Sequence, residues 1–247
     1  MLVLLHGFTQ TRQSWRRTVA ALGGSYRAVA PDLPGHGQAA ARRPASFSAV
    51  AAYTRALGGE RFTLAGYSMG GRIALYTALA LPGLVERLVL VGASPGLADP
   101  AEREARRRAD DALADRIEAI GIEAFAAEWG AQALFAGQEP RVVAAANADR
   151  LRNTPEGLAA ALRGLGTGLM PPLWDRLGEL RMPVTLVAGE RDEKFRAIAE
   201  RMAPAIPDCE VVVIAGAGHA AQLDRPEAVA AAISGDASSR SRTPSPS

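Results

Sequence analysis

The stretch FTLAGYSMGGRIALYTALA, Phe62 to Ala80, limits the possible fold more than any other part of this chain. Its first residues form a short apolar run suited to a strand, and its last form an apolar stretch with helical spacing. At the junction stands Ser68, flanked by Gly66 and Gly70 in a G-x-S-x-G pattern. A sharp strand-to-helix turn there holds the serine in strained backbone geometry and leaves its hydroxyl exposed at the carboxyl end of the strand. Side chains two residues to either side would collide across so tight a turn, which is why glycine occupies both flanks. The bare pattern is weak; between a strand and a helix it becomes specific.

The rest of the chain repeats that alternation. Short apolar runs at Leu2–Leu5, Arg27–Ala30, Phe62–Ala65, Leu88–Val91, Val184–Ala188 and Glu210–Ile214 read as strands. Most are apolar throughout, as parallel strands covered on both faces are. Helical segments near Ser14–Leu22, Ser46–Leu57, Met69–Leu79, Phe195–Ala203 and Pro226–Ile233 lie between them, which predicts a mostly parallel, doubly wound α/β sheet. The alternation stops after Val91. From Ser94 to Leu180 only helical periodicity appears, so residues 94–180 read as a helical cap inserted between core segments 1–93 and 181–233. Residues 234–247, SGDASSRSRTPSPS, have nothing to bury and read as a disordered tail.

With 247 residues, 48% of them hydrophobic, the chain can bury a substantial core. A net charge of +2 gives no global field for nucleic acid or membrane, and no stretch approaches the length of a membrane span. The opening MLVLLHGF is too short for a signal peptide and lacks a basic first region. The single cysteine, Cys209, excludes an internal disulfide and reads as a small core residue. These features point to a cytoplasmic enzyme, with a monomer favoured.

A serine nucleophile needs a base, and the chain offers His6, His36 and His219. His219, in AGAGHAAQLDRP after the last strand, occupies the position that the α/β-hydrolase order Ser…Asp…His gives the base. The orienting acid then follows the penultimate strand, where GERDEKF offers Asp192 in preference to Glu190 and Glu193. Taken alone, His219 would read as a surface histidine and Asp192 as a helix N-cap. The three placements in the correct order select the triad Ser68–His219–Asp192. The backbone N–H groups of Phe8, in LLHGF, and of Met69 supply an oxyanion hole. His6 and His36 then read as loop-shaping residues.

Arg72 lies one helical turn after Ser68 on the same face, where a guanidinium serves to meet an anion. Arg103, Arg106 and Arg107 share a face of the cap segment REARRRADD. For Arg103, Arg107 and Arg108 a solvated face with Asp110 and Asp111 as counter-ions accounts for the pattern.

The segments LLHGFTQTRQSW, DLPGHG, LAGYSMGGRIAL, GASPGLADPAEREARRRADD, LRNTPEGLAAAL, GERDEKF and AGAGHAAQLDRP together resemble the 2-succinyl-6-hydroxy-2,4-cyclohexadiene-1-carboxylate synthases of menaquinone biosynthesis. The resemblance runs from Met1 to about Ile233. It implies an α/β-hydrolase fold and elimination of pyruvate from a small-molecule polycarboxylate substrate, with no metal and no cofactor. It also implies substrate-binding roles for Tyr67, Arg72, Arg106, Trp129, Arg152 and Lys194, although Trp129 fits equally as a cap-core aromatic. The chain opens on what is normally the third strand of this fold. That predicts a sheet lacking the usual first strands, with the Arg27–Ala30 strand near an edge, and reads as a short family member or a start assigned too late. Two other readings use the same residues: a serine carboxylesterase or C–C bond hydrolase acting on an anionic substrate, and a binding protein without turnover.

Overall fold

The computed structural model describes residues 1–235. Six parallel strands, β1 (Leu2–Leu5), β2 (Ala28–Val29), β3 (Phe62–Tyr67), β4 (Val85–Val91), β5 (Val184–Gly189) and β6 (Cys209–Ile214), form one sheet in the order β2-β1-β3-β4-β5-β6. β2 is at one edge and only two residues long, which leaves little unpaired backbone there.

Successive side chains of a strand point to opposite faces, and the sequence fills both. Val3 and Leu5 of β1 join Leu64, Leu88 and Leu186 in one core, while Leu2 and Leu4 join Ala65, Val89 and Val187 in the other. Helices α1 (Arg16–Ala21), α2 (Phe47–Gly58) and α3 (Met69–Ala80) fall within the first part of the chain. The expected Ser14–Leu22 helix divides there: Thr11 caps a 3-10 turn over Arg12–Trp15, and α1 follows.

After β4 come α4 (Pro100–Gly130), α5 (Pro140–Arg150) and α6 (Pro155–Leu165). Asp99 caps α4 by accepting the Glu102 N–H at 2.8 Å, and Gly121, at φ +80°, kinks it into two segments. Ala114, Ile117 and Phe125 of α4 close over Leu158, Ala159 and Leu162 of α6, giving this layer a small core of its own. Phe8, from the loop after β1, packs against that core and against the core beneath the sheet.

Helices α7 (Glu193–Met202), α8 (Ala221–Asp224) and α9 (Pro226–Ser234) complete the described residues. Ser234, expected to begin the tail, closes α9, and Gly235 caps it in the left-handed conformation. The remainder of the expected tail lies outside the described residues. Among these, no helix is long and apolar enough to cross a membrane.

Candidate active site

The carboxyl ends of β1, β3, β5 and β6 converge on one rim of the sheet. Ser68 follows β3 with φ +50° and ψ −109°, a left-handed conformation rare for a residue with a side chain. A Cβ on Gly66 would overlap the Gly70 carbonyl, and one on Gly70 would overlap the backbone of Leu5 and His6. Both glycines of the motif are therefore fixed by backbone contact across the elbow.

Asp192 lies in the turn after β5 and serves two ends. Its Oδ1 accepts the Phe195 N–H at 3.4 Å as the N-cap of α7, and its Oδ2 accepts His219 Nδ1–H at 2.6 Å. Nε2 of His219 is left to accept the Ser68 hydroxyl at 3.2 Å. The imidazole is held between Phe195, with ring centroids 4.5 Å apart, and Tyr67, at 5.3 Å. His219 and Asp192 are buried, whereas Ser68 keeps partial access to solvent.

The other two histidines are wired as structure. His6 accepts the Leu33 N–H at Nε2 and donates Nδ1–H to the Gly7 carbonyl, both at 2.9 Å. His36 donates Nδ1–H to the Pro34 carbonyl at 3.2 Å, and the two rings meet edge to face. Burial lowers the His6 pKa to about 4 and, with repulsion from His6, that of His36 to about 3. Both are neutral struts under the HGF loop.

A cavity of about 630 Å³ opens above the rim, lined by Phe8, Ser68, Met69 and His219 on the core side and by Arg106, Trp129 and Leu162 on the helical side. Arg72 enters it from α3. Its Nη1 donates to the Leu165 carbonyl at 3.0 Å; among the described residues no carboxylate bonds to it, and Asp110, engaged by Arg106, acts on it only through its charge. Burial, with the neighbouring Arg106 charge, lowers its pKa to about 10. A half-buried cation whose neighbouring carboxylate is already engaged by Arg106 is well placed to meet an incoming anion. Arg106 is steadied by Asp110, to which its Nε donates at 2.7 Å. Asp110 therefore serves the cavity arginine, while Arg107 and Arg108 pair with Glu104 and Asp111. Lys194 lines the cavity, as does Arg201, which stacks over Trp174 at 4.1 Å and has no distinctive sequence pattern around it.

Two expectations from sequence are corrected. Tyr67 does not line the cavity: it is buried beneath His219, where burial and the charges of Asp192 and Asp224 raise its pKa. Arg152 does not reach the cavity either. It is exposed at the end of α5, 3.8 Å from Asp149. The buried arginine of that segment is Arg150, at 4% exposure, stacked on Phe135 at 5.0 Å. Periodicity could have separated the two, since Val142, Ala146, Asp149 and Arg150 form the buried face of α5. Nearby, Asn153 joins the layers, donating to the Thr9 carbonyl at 2.8 Å and accepting the Gly37 N–H at 3.0 Å.

The profile of the alpha/beta hydrolase family matches residues 2–232. The putative 2-succinyl-6-hydroxy-2,4-cyclohexadiene-1-carboxylate synthase of Bacillus subtilis (strain 168) is 37% identical, with 91% of this chain and 85% of that protein covered. The synthase of the same name from Citrobacter koseri is 35% identical, with 92% and 90% covered. Among solved structures, MenH from S. aureus superposes with a TM-score of 0.89 at 34% identity, covering 95% of this chain and 91% of that one. A thermophilic esterase from Thermogutta terrifontis, with malate bound, gives 0.78 at 29% identity, covering 95% and 88%.

Proposed function

The chain belongs to the alpha/beta hydrolase family and, within it, to the 2-succinyl-6-hydroxy-2,4-cyclohexadiene-1-carboxylate synthases, and from that membership we propose a pyruvate-eliminating lyase of menaquinone biosynthesis that works through Ser68, His219 and Asp192. Its substrate is 2-succinyl-5-enolpyruvyl-6-hydroxy-3-cyclohexene-1-carboxylate. The single observation that carries this reading is Arg72, a guanidinium that no carboxylate bonds among the described residues and that faces the same cavity as the Ser68–His219 pair. A neutral ester gives such a group nothing to do; a substrate with three carboxylates does.

In the proposed reaction the Ser68–His219 pair takes the proton from the ring carbon beside the succinyl ketone. Asp192 holds the imidazole in the tautomer that can accept it. The electrons move into the ketone, and the resulting enolate oxygen is met by the Phe8 and Met69 N–H groups. Return of the electrons shifts the ring double bond and breaks the C–O bond to the enolpyruvyl group. That group takes up a proton and leaves as pyruvate, and the ring becomes the 2,4-diene. The enolate has the charge distribution of an acyl-transfer oxyanion, so a hydrolase site serves elimination with little rebuilding. Arg72, Arg106 and Lys194 bind carboxylates in this scheme, and Trp129 shapes the wall. A cytoplasmic setting belongs to the same proposal, resting on the single cysteine.

The test is direct. Purified protein supplied with the enolpyruvyl substrate should release pyruvate and form the diene. Brisk hydrolysis of a short acyl ester, with no pyruvate, would replace this reading by the carboxylesterase one that the same triad allows.

A further inference from the structure

Behind the triad, outside the substrate cavity, the loops bearing the acid and the base meet the helical layer at one buried carboxylate. Asp224, the last residue of α8, is 8% exposed. Its Oδ2 accepts the Gly218 N–H at 2.8 Å, one residue before His219. Its Oδ1 accepts Gln138 Nε2–H at 2.7 Å, from the segment joining the 3-10 turn Ala133–Phe135 to α5. Arg191, one residue before Asp192, comes within 3.7 Å of the same carboxylate. Its Nη1 donates to the Gly137 carbonyl at 2.8 Å and its Nη2 to the Gly216 carbonyl at 3.3 Å. Gly137 sits at φ +74°, a conformation that favours glycine, and a Cβ there would push that guanidinium aside.

The base loop needs such an anchor. Ala215-Gly216-Ala217-Gly218 offers no side chain that reaches a partner, and Gly216 sits at φ +65°. The backbone leading to His219 is therefore set by hydrogen bonds: the Gly216 N–H donates to Glu190 Oε2 at 2.8 Å, and the Gly218 N–H, next to the base, donates to the buried Asp224. None of Gln138, Arg191 or Asp224 lines the substrate cavity.

We propose that Asp224 is a positioning residue for His219, and that Gln138 and Arg191 make this positioning depend on the seating of the helical layer. The inference rests on the reading of Ser68–His219 as the reactive pair, but not on the identity of the substrate. Labelling of Ser68 by a fluorophosphonate isolates it. The serine oxygen bonds to phosphorus, fluoride leaves, and the hydroxyl proton passes to His219. Asp224→Ala should slow labelling about tenfold or more, and Gln138→Ala about threefold, because an ångström of misplacement is enough. The kcat for pyruvate release should fall by the same factors, with KM unchanged. Asp224→Asn, which still accepts from Gly218, should restore most of the rate.

Labelling of folded Asp224→Ala at the wild-type rate would overturn the proposal, as would a rise in KM with kcat unchanged. If that variant does not fold, Gln138→Ala and Arg191→Ala decide: both must label more slowly, and wild-type rates in both overturn the coupling. A wild type that labels rapidly, slows in these variants and releases no pyruvate would remove the synthase reading and support this one. A wild type that does not label removes both.

Discussion

The two walls of the cavity are built on different principles. On the sheet side, Ser68, Asp192 and His219 stand on turns fixed by strand register, by glycine contacts that admit no Cβ, and by hydrogen bonds at 2.6 and 3.2 Å. On the helical side, Arg106 is held by an i,i+4 partner and Trp129 by ring contacts with Phe8 and Phe125. A proton transfer tolerates only small errors of position, whereas a carboxylate can be met by a long side chain from several directions. The proposed reaction thus places its chemistry on the rigid wall and divides recognition between the two, with Arg72 its recognition group on the rigid side.

The difference breaks most sharply at the nucleophile. Ser68→Ala should lower kcat by about 10³-fold or more with the Tm nearly unchanged, since the elbow is held by its neighbours rather than by the hydroxyl. Pyruvate release and thermal melts measure the two halves of that statement. A variant that kept its rate would mean that the rigid wall is only scaffolding.

The seam between the walls should open with acid. His6 and His36 titrate at about 4 and about 3 in the folded protein, against 6.5 for a free imidazole. The unfolded chain therefore binds their protons first. The stability they contribute is complete above pH 6.5 and is lost as pH falls from there toward 3, by several kcal/mol in order of magnitude. The Tm should drop steeply across that window. The double variant His6→Asn, His36→Asn should lose stability at neutral pH and show a flatter profile. An equally steep fall in it would place the titrating groups elsewhere.

Arg72 should show opposite signs in its two measurements. Its lowered pKa means that the folded state holds the charged guanidinium less well than water does at every pH below about 10. Arg72→Met removes that burden and should raise the Tm, while kcat/KM falls about 10²-fold through the lost carboxylate contact. A variant that loses both stability and activity would show that the guanidinium is a structural group, tied chiefly through the Leu165 carbonyl.

How much of this was legible in the sequence follows the same division. The rigid wall is written in motifs because its geometry forbids most residues: only glycine fits at positions 66 and 70, and the order Ser68, Asp192, His219 follows from the order of the strands. The central strands were legible because both of their faces are buried. The helical wall is not written that way. A helix admits many side chains at each position, so its contribution depends on rotation about its axis and on packing with its neighbours. Gln138 and Asp224 are ordinary polar residues whose meeting is settled only when the layer sits on the core. The resemblance gives Tyr67 a substrate-binding role, but its side chain is buried against the His219 ring, a placement that only the packing of the last loop on β3 decides.

The smallest expected effect is also the sharpest comparison, because it lies within one helix end. Arg150 and Arg152 are two residues apart, and one is buried while the other is exposed. Burial lowers the Arg150 pKa against the opposing charge of Asp149, and among the described residues no carboxylate bonds to it. Arg152 has only a loose 3.8 Å approach to Asp149, and such exposed pairs contribute well under about 1 kcal/mol. Arg152→Ala should therefore change kcat/KM less than about twofold and leave the Tm within a degree or so. Arg150→Ala, which removes the buried group stacked on Phe135, should lower both. A tenfold loss in the Arg152 variant alone would require the helical wall to close further when substrate binds, carrying that arginine inward. In that case the recognition wall would be the moving part of the enzyme, and its seating on Asp224 would change during turnover.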